Sequence, residues 1–436
     1  MTKINVANKK ASNPTTMLTG LMLFILMIII LEQNQLFFNS RPHHSSIHST
    51  PHAANDHNYN REKSKSIINC ERSHYFYDIC SINGPTFFDP FESTFYDMNS
   101  TNNNETNIIV EKIKPYPRKW ENFTMGQIKE FTLTTSPIAP SCLIHHKAQA
   151  LVFSVGGYTG NFFHDINDGF IPLFITVNSL FPNQDFILVI SKLEDWWAQK
   201  YKDLLLSFSK YPIIDIDKEI NVTHCFPKVT LGLMSHGFMN IDPKLIPTSK
   251  TLIDFHNFLS TTYGAASAST RFGKSRCEIG RPIPNQNKVK LIAEQIGFEV
   301  IFFEPRKNTS LHESFGLIHS TLTHALFLRP SSIFIQIIPI GAEGVSDICF
   351  GKLARDMNLV YEEYKIGVEE SSLIEKFGKE NNLVLQNPRA LQGKGWSQEI
   401  MDIYLREQNI NLDINRFRIY LEKAYQKAKI FMSING

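Results

Sequence analysis

Neither sign of charge dominates this chain. Forty-four Lys and Arg against 42 Asp and Glu leave +2 across 436 residues. There is no basic helix and no Arg/Lys run long enough to track a phosphate backbone, so no nucleic-acid partner is expected. The six cysteines, Cys70, Cys80, Cys142, Cys225, Cys277 and Cys349, include no Cys-x-x-Cys pair. That spacing is what zinc and dithiol redox sites normally need. Neither a Walker A loop nor a dinucleotide fingerprint occurs. No internal repeat is present, which excludes a solenoid.

What the chain does have begins at its N-terminus. Met17 to Leu31 is apolar except for Thr19 and Gly20, and Leu36-Phe37-Phe38 extends the hydrophobic stretch. Lys3, Lys9 and Lys10 precede it, and no cation follows in Glu32-Gln33-Asn34-Gln35. The positive-inside rule then predicts a cytosolic tail, 1–16, a signal anchor, 17–38, and a lumenal body. No small-x-small cleavage site follows the apolar run, so the anchor is expected to stay, giving a type II membrane protein. Its shortness suits the thinner membranes early in the secretory pathway. Residues 39–66 are polar and too poor in hydrophobes to fold, which predicts a disordered stem. His43, His44, His48, His52 and His57 read as linker residues there. Asn99, Asn104, Asn122, Asn221 and Asn308 each head a glycosylation sequon, in keeping with a lumenal body. Disulfides are the default in that compartment, and Cys70 with Cys80 would close a small loop.

From Ile67 the composition turns globular. Strands are predicted at 149–154, 186–190 and 228–233, with helices at 170–180 and 197–210. Later come a helix at 288–296 ended by Gly297, strands at 298–303, 333–338 and 359–364, and a closing helix at 415–429. This βα alternation predicts a parallel sheet covered on both faces. The richest stretch is GGYTGNFFHDIND, Gly156 to Asp168, directly after an apolar strand. Ligands of open α/β sheets bind just past the carboxyl ends of strands. Gly156 and Gly157 permit close approach, and His164, Asp165 and Asp168 bring titratable groups to the same edge. Asp165 could equally cap the following helix.

Several ordered blocks resemble one family. They are EKIKPYPRKWE from Glu111, VFSVGGYTGNFFHDINDGFIPLF from Val152, TLIDFHNFL from Thr251 and FLRPSSIFIQIIPIG from Phe327. FGKLARDMNLVYEEYKIGVEESSL from Phe350, KGW from Lys394 and IYLREQNINLDINRFR from Ile403 follow. From about Cys70 to the C-terminus the chain resembles plant glycosyltransferase family 61, which contains xylan arabinosyl- and xylosyltransferases. The resemblance implies an α/β fold of two Rossmann-like lobes facing a cleft: an acceptor lobe, 67–250, and a nucleotide-sugar lobe, 251–436. It implies an inverting transfer of arabinofuranose or xylose from a UDP-sugar to xylan or its side chains, at the Golgi membrane.

Such a reaction needs a base for the acceptor hydroxyl; Asp165, with His164 beside it, is the candidate, and Asp168 the alternate. The diphosphate needs cations or backbone N–H groups. The basic loop supplies Arg271 and Arg276, with Lys274 and Arg281 as neighbours; Gly156, Gly157, His319, Thr321 and Thr323 complete the donor candidates. Glu370 is the candidate for the ribose hydroxyls. Asp215-Ile216-Asp217 has metal-motif spacing but follows a Pro-containing segment among charged residues, and the chemistry is expected to need no metal. The chain departs from the family at one point. A strand and His-Gly-Ala loop are shortened to Ile318-His319-Ser320-Thr321-Leu322, about ten residues fewer, the length of a strand and its turn. That gap motivates an alternative: a catalytically inactive paralogue that binds or assembles with other Golgi transferases.

Overall fold

The computed structural model describes residues 67–98, 108–135, 141–263, 276–279, 283–302, 322–378, 383–393 and 398–435. The predicted tail, anchor and stem, 1–66, lie outside them. Among the described residues no helix is long and apolar enough to cross a membrane.

Of the described residues, those up to Ile338, Ser346–Lys365 and those from Asn411 onward form the larger of two units. Its strands are β1 (Ile68–Glu71), β2 (Ile79–Ile82), β3 (Thr86–Asp89), β4 (Thr94–Asp97), β5 (Val110–Ile113), β6 (Phe131–Thr134), β7 (Ile144–His145) and β8 (Gln149–Ser154). Then come β9 (Phe186–Ser191), β10 (Ile214–Asp215), β11 (His224–Phe226), β12 (Val229–Leu231), β13 (Arg276–Ile279), β14 (Glu299–Phe302), β15 (Ile333–Ile338) and β16 (Val360–Lys365). One six-stranded sheet has the order β1-β2-β12-β8-β9-β10, and a second has β5-β6-β4-β3-β11-β7. In the first, β12, β8, β9 and β10 run parallel, while β1 and β2 are antiparallel.

The strand period of two decides what covers each face. Leu151 and Phe153 of β8, with Leu188 and Ile190 of β9, pack against helical residues such as Ile171, Ile175, Leu204 and Phe255. Their alternates Ala150, Val152, Ile187 and Val189 pack against Phe88, Phe95, Phe131 and Leu133 of the second sheet. The parallel strands are thus covered on both faces, by helices on one and by a sheet on the other. The helix Ile171–Leu180 buries six consecutive residues from Ile171 to Thr176, which fits its nearly all-apolar sequence. Gly232 has φ +107°, and a Cβ there would lie 2.3 Å from the Asp78 carbonyl oxygen. Only glycine lets β12 leave the sheet at that point.

The later strands pair as β13 with β14 and β15 with β16, both parallel. Among the described residues no strand joins these two pairs. The shortened segment Ile318-His319-Ser320-Thr321 falls between β14 and β15, outside the described residues. The helix Gln286–Ile296 ends on Gly297 at φ +116°, whose N–H donates to Ala293 O, a left-handed stop. The closing helix Ile414–Asn435 starts on Asp413, whose Oδ1 accepts from Asn415 N and Arg416 N.

The smaller unit comprises Pro339–Val345 and Ile366–Ile410. Gln408 bridges both backbone groups of Ile340, and the Tyr404 hydroxyl donates to Val384 O at 2.9 Å.

Candidate functional site

The carboxyl ends of β12, β8 and β9 share one edge of the first sheet. β8 finishes at Ser154, whose N–H donates to Pro115 O at 3.0 Å. That bond draws the segment Lys114–Trp120 alongside the glycine turn. Pro115 and Pro117 keep the segment out of a helix, and it delivers Arg118 into the interior with no solvent exposure. The Arg118 Nε donates to Asp168 Oδ2 at 2.9 Å, and Nη1 donates to Glu121 Oε2 at 3.0 Å. Nη2 lies 3.1 Å from His164 Nδ1. The rings of Tyr158, Phe238 and Trp120 surround the guanidinium at 5.0, 5.7 and 5.8 Å.

Both carboxylates are otherwise satisfied. Tyr116 OH and Asn167 Nδ2 donate to Asp168, at 3.3 and 2.6 Å. Thr124 and Tyr158 hydroxyls donate to Glu121 Oε1. Buried charges survive only with such pairing. Burial by itself works to raise the Asp168 pKa, but Arg118 and then His164 overcome it and hold the carboxyl down at about 2. Burial pushes the His164 pKa below its ordinary value, against the pull of Asp168.

Residues Asp165–Phe170 form a π-helical turn, a feature frequent at functional sites. Within it Asp165, Asn167 and Asp168 are all buried. His164 Nδ1 is 2.7 Å from Asp168 Oδ2. An ionised carboxylate only accepts, so the shorter contact favours a proton on Nδ1, and the 3.1 Å approach of Arg118 Nη2 is then a contact and not a hydrogen bond. The Nε2 lone pair is then the free end of the imidazole, and no described group hydrogen-bonds it. Tyr158 lies over the ring at 4.3 Å.

Asp165 sits apart from this cluster. Its Oδ1 accepts from Trp197 Nε1 at 3.0 Å and from Gly160 N at 3.4 Å, and its Oδ2 from Tyr201 OH at 2.7 Å. Burial raises its pKa. The close approach allowed by Gly157 is made by the protein itself: at φ +70° a Cβ would meet Thr124 Cγ2 at 2.9 Å and Tyr116 Cζ at 3.0 Å. Gly156 donates its N–H to Ser154 Oγ at 3.1 Å.

The remaining candidates fall elsewhere. Thr323 is buried in the turn Leu322–Phe327. Glu370, in the smaller unit, accepts from Gly367 N at 2.6 Å, within its own turn. Arg276 lies in β13. Arg271, Lys274, Arg281, His319, Thr321, Asn99, Asn104 and Asn308 lie outside the described residues. Asn122 and Asn221 are exposed. Asp217 accepts from Lys192 N at 2.5 Å. Cys70 bonds Cys80, and Cys142 bonds Cys225. His145 lies close enough to Cys142 and Cys225 for a metal cluster, but those two sulfurs are bonded to each other.

Sequence reasoning missed Arg118 and Glu121. The one available signal was an arginine in a Pro-flanked, aromatic segment that ends in Trp120.

No family model matches the chain. It is 34% identical over 398 residues to a xylan glycosyltransferase of Arabidopsis thaliana, covering 83% of this chain and 80% of that protein. The chain belongs to plant glycosyltransferase family 61. Among other members, it is 34% identical to a beta-1,2-xylosyltransferase of Oryza sativa subsp. japonica, over 73% of each chain. It is 32% identical to an alpha-1,3-arabinosyltransferase of the same species, over 82% of this chain and 64% of that protein. In this family 61 member, then, the buried network is built by two blocks of the family pattern, EKIKPYPRKWE and GGYTGNFFHDIND, from segments far apart in the chain.

Proposed function

We propose that this family 61 protein is an inverting Golgi glycosyltransferase that moves a pentose, arabinofuranose or xylose, from a UDP-sugar to xylan. The observation that carries the reading is the 34% identity to a xylan glycosyltransferase across 80% of its length. In this reading the base is His164, a modification of the sequence expectation. Among the described residues no group hydrogen-bonds its Nε2, Asp168 would take the Nδ1 proton as a hydrogen bond, and Arg118 keeps Asp168 ionised. The lowered His164 pKa leaves the imidazole neutral at neutral pH, the form that can accept the acceptor hydroxyl proton. Asp165 then acts as a positioning residue: it ties the glycine turn to Trp197 and Tyr201. The donor diphosphate would be met by Arg271 and Arg276, and the chemistry proceeds without a metal. An N-terminal anchor, 17–38, would hold the body in the Golgi lumen.

One feature of the sequence favours the inactive alternative: the stretch Ile318–Leu322 is about ten residues shorter than the strand and His-Gly-Ala loop of the family pattern. Thermal melting of the protein with and without UDP separates the readings. UDP at one hundred times its dissociation constant adds about 2.7 kcal/mol of stability, so a transferase melts visibly higher. A cooperative melt that UDP does not move would favour the inactive paralogue.

A further inference from the structure

The loop between β1 and β2, Arg72–Asp78, carries four aromatic side chains in a row: His74, Tyr75, Phe76 and Tyr77. Tyr75 lies flat on Trp120, with centroids 5.4 Å apart and planes 9° from parallel. Phe76 meets Trp120 edge-on at 5.0 Å. All three rings are half-buried, and none belongs to either apolar core. An aromatic cluster outside the cores that keeps part of its surface exposed is a binding-surface candidate.

The loop is held rigidly. Cys70 and Cys80 are opposite each other at its base and are bonded. Arg72 pairs with Asp78 and Glu111, both at 3.0 Å. Lys119 pairs with Asp78 at 2.8 Å, and its backbone N–H donates to Phe76 O at 3.1 Å. A platform fixed in advance loses little entropy when something binds. The cluster also adjoins the site: Trp120 lies 5.8 Å from the Arg118 guanidinium, which itself lies 3.1 Å from His164.

We infer that the Tyr75–Trp120–Phe76 cluster is a stacking subsite for the polysaccharide acceptor, holding a pyranose ring of the polymer beside the reacting unit. Pyranose C–H faces are apolar and flat, and they lie against aromatic faces. The inference rests on the proposed function, since it takes the acceptor to be xylan.

The test is affinity electrophoresis of the full-length protein through a gel containing soluble xylan, without donor. Wild type should be retarded. Tyr75→Ala and Tyr75→Leu should lose about tenfold in affinity, and Tyr75→Phe should keep it. Melting curves for each variant report folding, and Leu preserves bulk if Ala does not fold. If wild type is retarded and the folded Leu or Ala variant is retarded equally, the subsite is wrong while the acceptor stands. If wild type is not retarded, the acceptor reading fails, and the subsite with it.

Discussion

Arg118→Met is expected to cost about 3–5 kcal/mol of unfolding free energy, measured by chemical denaturation at neutral pH. Methionine matches the length of the arginine stem and tolerates irregular space, so the loss reports charge more than volume. Without the guanidinium, Asp168 and Glu121 stay buried as anions with no cation between them. The loss should be asymmetric. Neutralising all three in Arg118→Met/Glu121→Gln/Asp168→Asn should recover part of it, because removing a whole buried ion group is milder than breaking it. Acid should also narrow the gap. In the wild type the Asp168 pKa is depressed from 3.8 to about 2, so its contribution is full above 3.8 and lost as pH falls through 2. The variant has no such contribution to lose. The difference between the two proteins should therefore shrink as pH falls below 3.8. A single variant that loses under 1 kcal/mol would mean that Arg118 does not hold this site together.

His164→Gln should lower kcat by about 10²–10⁴, the usual contribution of a positioned general base, while UDP still raises the melting temperature. Asp165→Asn should lower kcat by less than about tenfold, because its carboxylate faces Trp197, Tyr201 and Gly160 and acts through the glycine turn. The pH dependence gives a second readout. Burial depresses the His164 pKa from 6.5. A base must be deprotonated, so the acid limb of kcat should have its midpoint below 6.5 and should vanish in His164→Gln. The reverse ranking of the two variants would return the base to Asp165.

The sequence made some of this legible and hid the rest for identifiable reasons. The β15 boundaries, Ile333–Ile338, and the core of β8 follow from apolar runs too dense for a surface. The turn after β8 follows from its glycines. The second sheet was invisible: β3, β4 and β6 are four residues each, too short for a period to stand out, and β4 with β6 and β3 with β11 pair across long separations. His164 and Asp168 were readable as neighbours on one helical turn. Their common partner Arg118 lies 50 residues before Asp168, and no local pattern records such a pairing. Asp165 was singled out because it adjoins a histidine in a glycine-rich turn, but the π-helical turn directs it at Trp197 and Tyr201 instead.

The proposed pentose transfer is tested most directly by an activity assay. The full-length protein would be incubated with UDP-xylose or UDP-arabinofuranose and xylo-oligosaccharides, and the products weighed by mass spectrometry. A single pentose should be added from one of the two donors, and the addition should be lost in His164→Gln. No added pentose from either donor, with a folded protein and an active family member as control, would rule out the proposed transfer.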